Sequence, residues 1–264
     1  MRIIRFAFGH RARYGVLDSG VVHGLRVSPF VGFHGGRPLL RLDGSSHELG
    51  EVRLLAPCRP SKIVAVGLNY RSHAAETRMP LPSVPLLFLK PSTAVVGPDE
   101  NIILPGPSGR VDYEGELGVV VGRRARNVPA DRAQDYILGY TCVNDVTERE
   151  MQKSDGQWTR AKGFDTFAPL GPWIETELDP GDLKVETRLN GEVRQSASTS
   201  DLIFGVAELA AFVSGVMTLL PGDVISTGTP SGIGRMKAGD VVEVAIQGIG
   251  TLRNFVVAAG PGPR

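Results

Sequence analysis

The sequence predicts a β-rich fold of short strands with one clear helix and an antiparallel ending. Short segments of alternating apolar and polar residues occur near the beginning and the end of the chain. The 264 residues include 33 glycines and 19 prolines, which favours many turns and short strands over a helical bundle. No strand-helix-strand alternation repeats along the chain, so neither a doubly wound sheet nor a barrel of parallel strands is expected.

The first 58 residues predict a small β-rich subdomain, and residues 59–264 predict a larger domain. Alternating segments at 1–8, 13–18, 21–27 and 38–42 predict the small sheet. Two prolines in LAPCRPS, residues 55–61, indicate a connector. The apolar segment KIVAVG, residues 62–67, then predicts the first core strand of the larger domain.

One segment of the larger domain has clear helical periodicity. Apolar residues recur at intervals of three and four from Leu202 to Val216, after the candidate cap residue Ser200. Strands are predicted at 112–121, in the apolar segment 136–143, and at 223–226 and 241–246, while residues 247–250 predict a hairpin turn into a last strand at 251–257. The chain is therefore expected to end in antiparallel β structure.

Composition excludes several classes of protein. A formal net charge of +1 provides no electrostatic attraction for nucleic acid. Two cysteines, Cys58 and Cys142, are too few for a disulfide framework. The first ten residues lack the apolar segment of a secretory leader, and no segment suits a membrane span. We therefore expect a cytoplasmic protein with no nucleic-acid or membrane partner.

Carboxylates provide the first candidate site. In the predicted strand DYEGELGVVV, a period of two places Asp112, Glu114 and Glu116 on one face, which is typical either of a half-exposed polar face or of a cation site. Asp145 follows the predicted strand 136–143, where an acidic residue is most often a turn residue. Only one histidine follows residue 47, so a metal in the larger domain would have mainly oxygen ligands.

Three further segments contain candidate side chains, each with a structural alternative. In NYRSHAAE, a turn of helix would place His73 and Glu76 on one face, as a proton-transfer pair or as a surface pair. Lys162, in KGFDTFAPL, would most often reach solvent. The glycine-rich segment TGTPSGIG lacks the ending of a phosphate-binding loop, but it allows close backbone approach to a ligand, with Thr229 as a hydroxyl donor.

Together, seven segments in this order resemble the fumarylacetoacetate hydrolase family over residues 62–257. They are VGLNYRSHAAE, FLKPS, DYEGELGVVVG, GYTCVNDVTEREMQ, QWTRAKGFDTFAPLGPW, LNG at 189–191 and GDVISTGTPSGIG. The resemblance implies an α+β fold centred on a rolled mixed β-sandwich. It also implies a homodimer whose site lies near the subunit interface.

The resemblance also implies a set of site residues. The metal ligands would be Glu114, Glu116 and Asp145, holding Mg²⁺ or Mn²⁺, with Ca²⁺ as an occupant that a crystal could contain. The catalytic residues would be His73, Glu76 and Lys162. The residues that contact an organic-acid substrate would be Arg149, Gln152 and Thr229. Asp112 matches no ligand position of the family.

The segment QWTRAKGFDTFAPLGPW most resembles bacterial 2-hydroxyhepta-2,4-diene-1,7-dioate isomerases (5-carboxymethyl-2-hydroxymuconate type) of aromatic catabolism. This resemblance favours an isomerase over the alternatives, an acylpyruvate hydrolase and an oxaloacetate decarboxylase. A noncatalytic protein that binds organic acids or metal is the alternative from another class. Prolines at 80, 82 and 85 suggest a lid in residues 76–85. The sequence does not identify the group that binds a second carboxylate.

Overall fold

The computed structural model describes residues 1–106 and 109–260, and strands predominate in it. The four α-helices are α1 (Arg71–Thr77), α2 (Arg149–Ser154), α3 (Thr159–Lys162) and α4 (Val206–Val216). The strands are β1 (Arg2–Phe8), β2 (Arg11–Asp18), β3 (Val21–Leu25), β4 (Leu42–Glu48), β5 (Arg53–Leu55), β6 (Lys62–Gly67), β7 (Leu86–Pro91), β8 (Val95–Val96), β9 (Asn101–Leu104), β10 (Val111–Tyr113), β11 (Gly115–Val121), β12 (Ile137–Asn144), β13 (Thr147–Glu148), β14 (Ala168–Glu175), β15 (Lys184–Leu189), β16 (Glu192–Ser198), β17 (Val224–Ser226), β18 (Gly234–Arg235), β19 (Val241–Ile246) and β20 (Gly250–Ala258).

These strands form three sheets, and the predicted α+β class is confirmed. The large sheet has the order β4-β3-β2-β1-β14-β12-β11-β17-β6-β7, with β5 paired to β1 and β8 paired to β14. A second sheet has the order β16-β15-β19-β20-β9, and a small one has the order β13-β10-β18. The chain ends in the predicted antiparallel hairpin, β19 and β20. No helix in the described residues is long and apolar enough to cross a membrane.

The main core lies between the large sheet, the five-stranded sheet and α4. Leu117 and Tyr140 of the large sheet pack in one cluster with Val185 and Val244 of the five-stranded sheet, and Leu209 of α4 joins them. Two stacked sheets that share one apolar layer form a sandwich. Side chains at the ends of strands in the large sheet are therefore supported by this core.

The N-terminal strands share the large sheet with the rest of the chain. β1 pairs antiparallel with β14, placing Arg2 opposite Glu175 and Ile3 opposite Ile174. The strand predicted at 38–42 is wrong, because β4 occupies Leu42–Glu48 instead. Pro38 lacks the N–H that a strand ladder needs. The true strand alternates exposed with half-buried residues of mostly polar type, so apolar periodicity could not reveal it.

The predicted helix exists, but the start predicted for it at Leu202 is wrong. Residues 199–201 form a short 3-10 turn, and α4 begins only at Val206. The backbone N–H of Ile203 donates to the Asn69 carbonyl at 2.8 Å, and that of Phe204 donates to Asn69 Oδ1 at 2.9 Å. Leu202 itself has φ −58° and ψ 135°, which is not helical, and forms a β-bridge with Tyr70, so the helix cannot begin there.

The strand predicted at 112–121 is interrupted at Glu114. β10 belongs to the three-stranded sheet and β11 to the large sheet, so the chain changes sheets at this residue. The Glu114 N–H donates to Asn144 Oδ1 at 2.9 Å instead of joining a ladder. Asp112, Glu114 and Glu116 are all buried, so the half-exposed polar face is wrong.

Leu209→Ala is expected to lower the free energy of unfolding by about 2–5 kcal/mol, because it leaves a cavity in the main core. Leu209 is fully buried in α4. Chemical denaturation of both proteins measures the difference. Leu220→Ala is the matched control, since Leu220 is 42% exposed and its truncation should cost about 1 kcal/mol or less. Equal losses in the two variants would contradict this placement of the core.

Candidate active site

Three buried carboxylates lie together where β10, β11 and β12 meet. Glu114 lies between β10 and β11, Glu116 is in β11, and Asp145 directly follows β12. One ligand oxygen from each lies within 4.8 Å of the others. Two hydrogen bonds to backbone carbonyls hold the cluster in place. The Asp145 N–H donates to the Glu114 carbonyl at 2.8 Å, and Thr147 Oγ1 donates to the Asp145 carbonyl at 2.9 Å.

Lys162 lies at the end of α3 and contacts two of these carboxylates. Its Nζ donates to Glu114 Oε2 at 2.9 Å and to Asp145 Oδ2 at 2.6 Å. The same Nζ lies 4.8 Å from the centre of the Phe88 ring. The side chain is 2% exposed, so the interpretation of Lys162 as a lysine that reaches solvent is wrong. A buried ammonium in this position can bind a developing negative charge.

Lys90, in β7, is a site residue that the sequence analysis missed. Its Nζ donates to Asp145 Oδ1 at 2.6 Å and to the Val146 carbonyl at 3.0 Å, and its side chain is fully buried. Burial lowers the pKa of Lys90, and the Asp145 charge opposes that effect. The available signal was a lysine inside the apolar strand segment LLFLK. Lys90 and Lys162 thus hold one oxygen each of Asp145.

Lys90→Met should lower the free energy of unfolding by roughly 3–5 kcal/mol, since it removes one partner of a buried ion pair and leaves the Val146 carbonyl unpaired. Denaturant titration of metal-free protein is the measurement. Lys153→Met is the matched control, because Lys153 is exposed at the same cavity and makes no ion pair with the described residues. If both variants kept wild-type stability, the Lys90 ion pair would not contribute to folding.

Arg149 joins the cluster through Asp112. The Arg149 guanidinium forms an ion pair with Glu114, and its Nε donates to Asp112 Oδ2 at 2.9 Å. Its Nη1 donates to Gln152 Oε1 at 2.8 Å. Asp112, which matched no ligand position of the family, is fully buried and also accepts from Arg110 Nε at 2.8 Å. The role of Asp112 in this structure is to position two arginine side chains.

The glycine-rich segment TGTPSGIG contacts the carboxylates with its backbone. Gly228 has φ +96°, a value that L side chains rarely adopt, and its N–H donates to Glu116 Oε2 at 2.8 Å. Ser226 Oγ donates to the same oxygen at 2.5 Å. Thr229 Oγ1 donates to the Gly115 carbonyl at 3.0 Å and accepts from Gln195 Nε2 at 2.8 Å. Gln195, which holds the Thr229 hydroxyl, is a second residue of this region, after Lys90, that the sequence did not reveal.

The charges in this cluster favour a bound cation. Burial opposes ionisation of Glu114, but the Arg149 and Lys162 charges lower its pKa to about 2. Burial, together with the Asp145 and Glu114 charges, raises the pKa of Glu116 well above its usual range. No lysine or arginine of the described residues pairs with Glu116. Three convergent carboxylates, one of them without a cationic partner, fit a divalent ion with oxygen ligands.

His73 and Glu76 lie together on α1, as the helical interpretation predicts. His73 Nδ1 and Glu76 Oε2 are 3.0 Å apart, and Glu76 Oε1 accepts from the Gly232 N–H at 3.3 Å. Asn69 anchors the beginning of this segment by donating to the Thr227 carbonyl at 2.7 Å. The pair is more accessible than the carboxylates, with the His73 side chain 13% and the Glu76 side chain 46% exposed.

A single cavity of about 810 Å³ connects these groups. Eight of the nine predicted site residues line it, and Glu76 is held beside it through His73. They are His73, Glu114, Glu116, Asp145, Arg149, Gln152, Lys162 and Thr229. Residues 79–83, within the segment predicted as a lid, also line the cavity. Their mobility stays a prediction.

Two family models match this chain over adjacent ranges. Residues 62–257 match the family described as fumarylacetoacetate (FAA) hydrolase C-terminal, and residues 1–57 match the family described as Rv2993c-like, N-terminal. The solved structure of 2-hydroxyhepta-2,4-diene-1,7-dioate isomerase from Mycobacterium marinum has a TM-score of 0.91 and 46% identity, covering 99% of this chain and 100% of that one. That of 5-carboxymethyl-2-hydroxymuconate delta-isomerase from Mycobacterium smegmatis has a TM-score of 0.90 and 46% identity, covering 98% and 100%.

A relative named for hydrolysis is also similar. The 2,4-didehydro-3-deoxy-L-rhamnonate hydrolase of Sphingomonas sp. (strain SKA58) is 40% identical, and the match covers 97% of this chain and 96% of that protein. Hydrolases and isomerases both occur among these relatives, so together they support an enzyme. The family match spans most of the sequence and includes the whole carboxylate cluster. The chain belongs to the fumarylacetoacetate hydrolase family.

Proposed function

We propose that this protein is a divalent-metal-dependent isomerase of 2-hydroxyhepta-2,4-diene-1,7-dioate or a close analogue. The observation that carries the proposal is that the carboxylate cluster, Lys162 and the His73–Glu76 pair adjoin one cavity. Two similar solved structures, at 46% identity, are named as isomerases of such compounds. Mg²⁺ or Mn²⁺ held by Glu114, Glu116 and Asp145 would act as a Lewis acid toward substrate oxygens.

The proposed reaction moves one proton and needs no co-reactant. The O–H bond of the 2-hydroxyl group breaks, and the electron pairs shift along the conjugated diene. A C–H bond then forms at C5, which gives a 2-oxo-3-enedioate of the same composition. Negative charge develops on the C2 oxygen during this transfer, so a cationic partner there lowers the barrier.

The side chains divide this work by position. Lys162, buried against Glu114 and Asp145, provides the cationic partner for the C2 oxygen. His73 is the group that exchanges the proton with substrate, because imidazole can both accept and donate one near neutral pH. Glu76 fixes the orientation of the ring through its contact with Nδ1. Arg149, Gln152 and Thr229 line the cavity as substrate contacts.

Hydrolysis of an acylpyruvate-type carbon-carbon bond is the second candidate. The observation that favours it is the name of the rhamnonate-derived hydrolase at 40% identity. The same His73–Glu76 pair could then activate a water molecule for attack on a carbonyl. Decarboxylation of oxaloacetate is a third reaction for the same donor set. A noncatalytic organic-acid-binding protein would bind these acids without turning any of them over.

Turnover by metal-stripped protein, with Mg²⁺ or Mn²⁺ restored, distinguishes these functions. The panel contains the 2-hydroxydienedioate, an acylpyruvate and oxaloacetate. We expect metal-dependent rearrangement of the dienedioate without cleavage. Release of pyruvate from the acylpyruvate or oxaloacetate, with no rearrangement, would replace the isomerase by a hydrolase or a decarboxylase.

Assembly and location complete the proposal. We propose a homodimer in the cytoplasm, in which residues 1–58 form a β-rich part that shares the large sheet with the catalytic part, residues 59–264. Light scattering on the purified protein checks the dimer, for which a mass of about 57 kDa is expected from the 28.3 kDa chain. A mass equal to a single chain would contradict it.

A further inference from the structure

The cavity changes in polarity from its buried end to its opening. The buried end holds the carboxylate cluster and Lys162. Half-buried apolar side chains, including Phe88, Trp158 and Ile233, also line the cavity. Two cationic side chains, Arg110 and Lys153, line its exposed part. A ligand that reaches from the buried carboxylate cluster to the exposed lining of the cavity can therefore meet these two cations.

Two of the three guanidinium nitrogens of Arg110 have no partner among the described residues. Its Nε donates to Asp112 Oδ1 at 2.8 Å, and the side chain is 51% exposed. Neither Nη atom makes a hydrogen bond or ion pair with residues 1–106 or 109–260. Asp112 is itself fixed by Arg149, whose Nε donates to its other oxygen at 2.9 Å. Arg110 is thus anchored at one nitrogen, with two nitrogens left to bind a planar anion.

Lys153 adds a second charge at the exposed part of the cavity. It lies in α2, next to the cavity residue Gln152, and its side chain is exposed. Its Nζ forms no ion pair within the part of the chain that the structure describes. Arg149, in contrast, already forms ion pairs with Asp112 and Glu114 and a hydrogen bond with Gln152.

We propose that Arg110 and Lys153 bind the distal carboxylate of a dicarboxylic 2-oxo or 2-enol acid and so select dicarboxylic over monocarboxylic substrates. The proposal rests on the proposed function only in placing the 2-oxo end at the carboxylate cluster. Charge complementarity supports it, because among the described residues the two Nη atoms of Arg110 and the Lys153 ammonium have no ion-pair partner, and both side chains line the cavity. The half-buried apolar side chains of the lining suit the hydrocarbon chain of such an acid.

Binding of two unreactive acids tests this subsite without depending on turnover. The probes are 2-oxoheptanedioate and 2-oxoheptanoate, titrated by calorimetry into protein saturated with Mg²⁺. They have the same chain length and differ in the distal carboxylate. We expect wild-type protein to bind the diacid at least about tenfold more tightly, as a charge-assisted contact allows.

Arg110→Gln should remove about tenfold or more of the affinity for the diacid and leave that for the monoacid within about twofold. Lys153→Gln, which does not touch Asp112, should reduce the same preference by a smaller factor. Arg110→Lys should retain part of the preference, because it keeps the charge. Arg132→Gln is the matched control, since Arg132 also contacts a neighbouring aspartate and is 63% exposed away from the cavity.

Equal affinities for the two acids in wild-type protein would overturn the proposal. An unchanged preference for the diacid in Arg110→Gln and Lys153→Gln would also overturn it. Equal losses of affinity for both acids in Arg110→Gln would overturn it too, because they indicate a general disturbance through Asp112.

Failure of the proposed function would give a different result. In that case the dienedioate is not rearranged, while the binding preference and its loss in Arg110→Gln persist.

Discussion

Replacing Glu116 by glutamine is expected to abolish metal-dependent turnover while the protein stays folded. Glu116 is the carboxylate of the cluster without a cationic side-chain partner in the described residues, so a metal ion that displaces its proton breaks no ion pair. Glutamine has the same shape, and its amide oxygen can still accept from Ser226 and Gly228. We expect affinity for Mg²⁺ to fall by roughly 100-fold or more, since even partners of metal ligands contribute 10–100-fold. Calorimetric titration and steady-state turnover measure the two effects.

The same variant should change how the stability of metal-free protein depends on pH. The raised pKa of Glu116 means that the folded state holds a proton that the unfolded chain releases near the ordinary value of 4.5. Wild-type stability should therefore fall as pH rises from that value through the raised folded value. Glu116→Gln removes this contribution, so its stability should decline less over the same range. Urea titrations at several pH values, with chelator present, provide the comparison.

Glu186→Gln is the matched control for this experiment. Glu186 is another largely buried glutamate of a strand, but it pairs with Lys184 and Arg188 on the five-stranded sheet, outside the cavity. It should leave metal affinity and turnover unchanged. Glu114 is less suitable for the test, because its loss would remove one of the two carboxylate partners of each of the buried side chains Arg149 and Lys162. Wild-type metal affinity in Glu116→Gln would remove Glu116 from the ligand set.

Local sequence predicted the parts of the site that depend on short stretches of chain. A turn of helix was enough to place His73 beside Glu76, and the end of an apolar strand was enough to place Asp145. The convergence of Asp145 with Glu114 and Glu116 was beyond local reasoning, because β11 and β12 pair across a long connection. Only the resemblance to a family supplied it in advance.

The parts that were missed depend on contacts between distant residues. Lys90 lies 55 residues from Asp145, and nothing in LLFLK indicates where its ammonium points. α4 begins late because Leu202 is held in a β-bridge with Tyr70, beside the bond from Phe204 to Asn69, 135 residues away. The break at Glu114 similarly reflects a change of sheet, which strand periodicity does not encode. In each case a tertiary contact outweighs the local preference.

Replacing His73 by glutamine is expected to lower turnover by about 10²–10⁴-fold while leaving metal affinity close to wild type. The glutamine amide can still donate to Glu76, so α1 and its contact with Gly232 should be kept. It cannot exchange a proton with substrate near neutral pH. His73 contacts the cavity but is absent from the carboxylate group that could hold a metal. Steady-state kinetics should therefore show a fall in kcat with little change in KM.

The double variant His73→Gln/Glu76→Gln separates a functional pair from two independent residues. If Glu76 acts through the ring of His73, the double variant should be about as slow as His73→Gln alone. His47→Gln, in β4 with its ring against Phe8, is the control for loss of an imidazole and should retain turnover. Full turnover by His73→Gln would exclude this histidine from the chemistry. Multiplied losses in the double variant would instead give Glu76 a role separate from orienting the ring, because two residues acting on different steps lose rate independently.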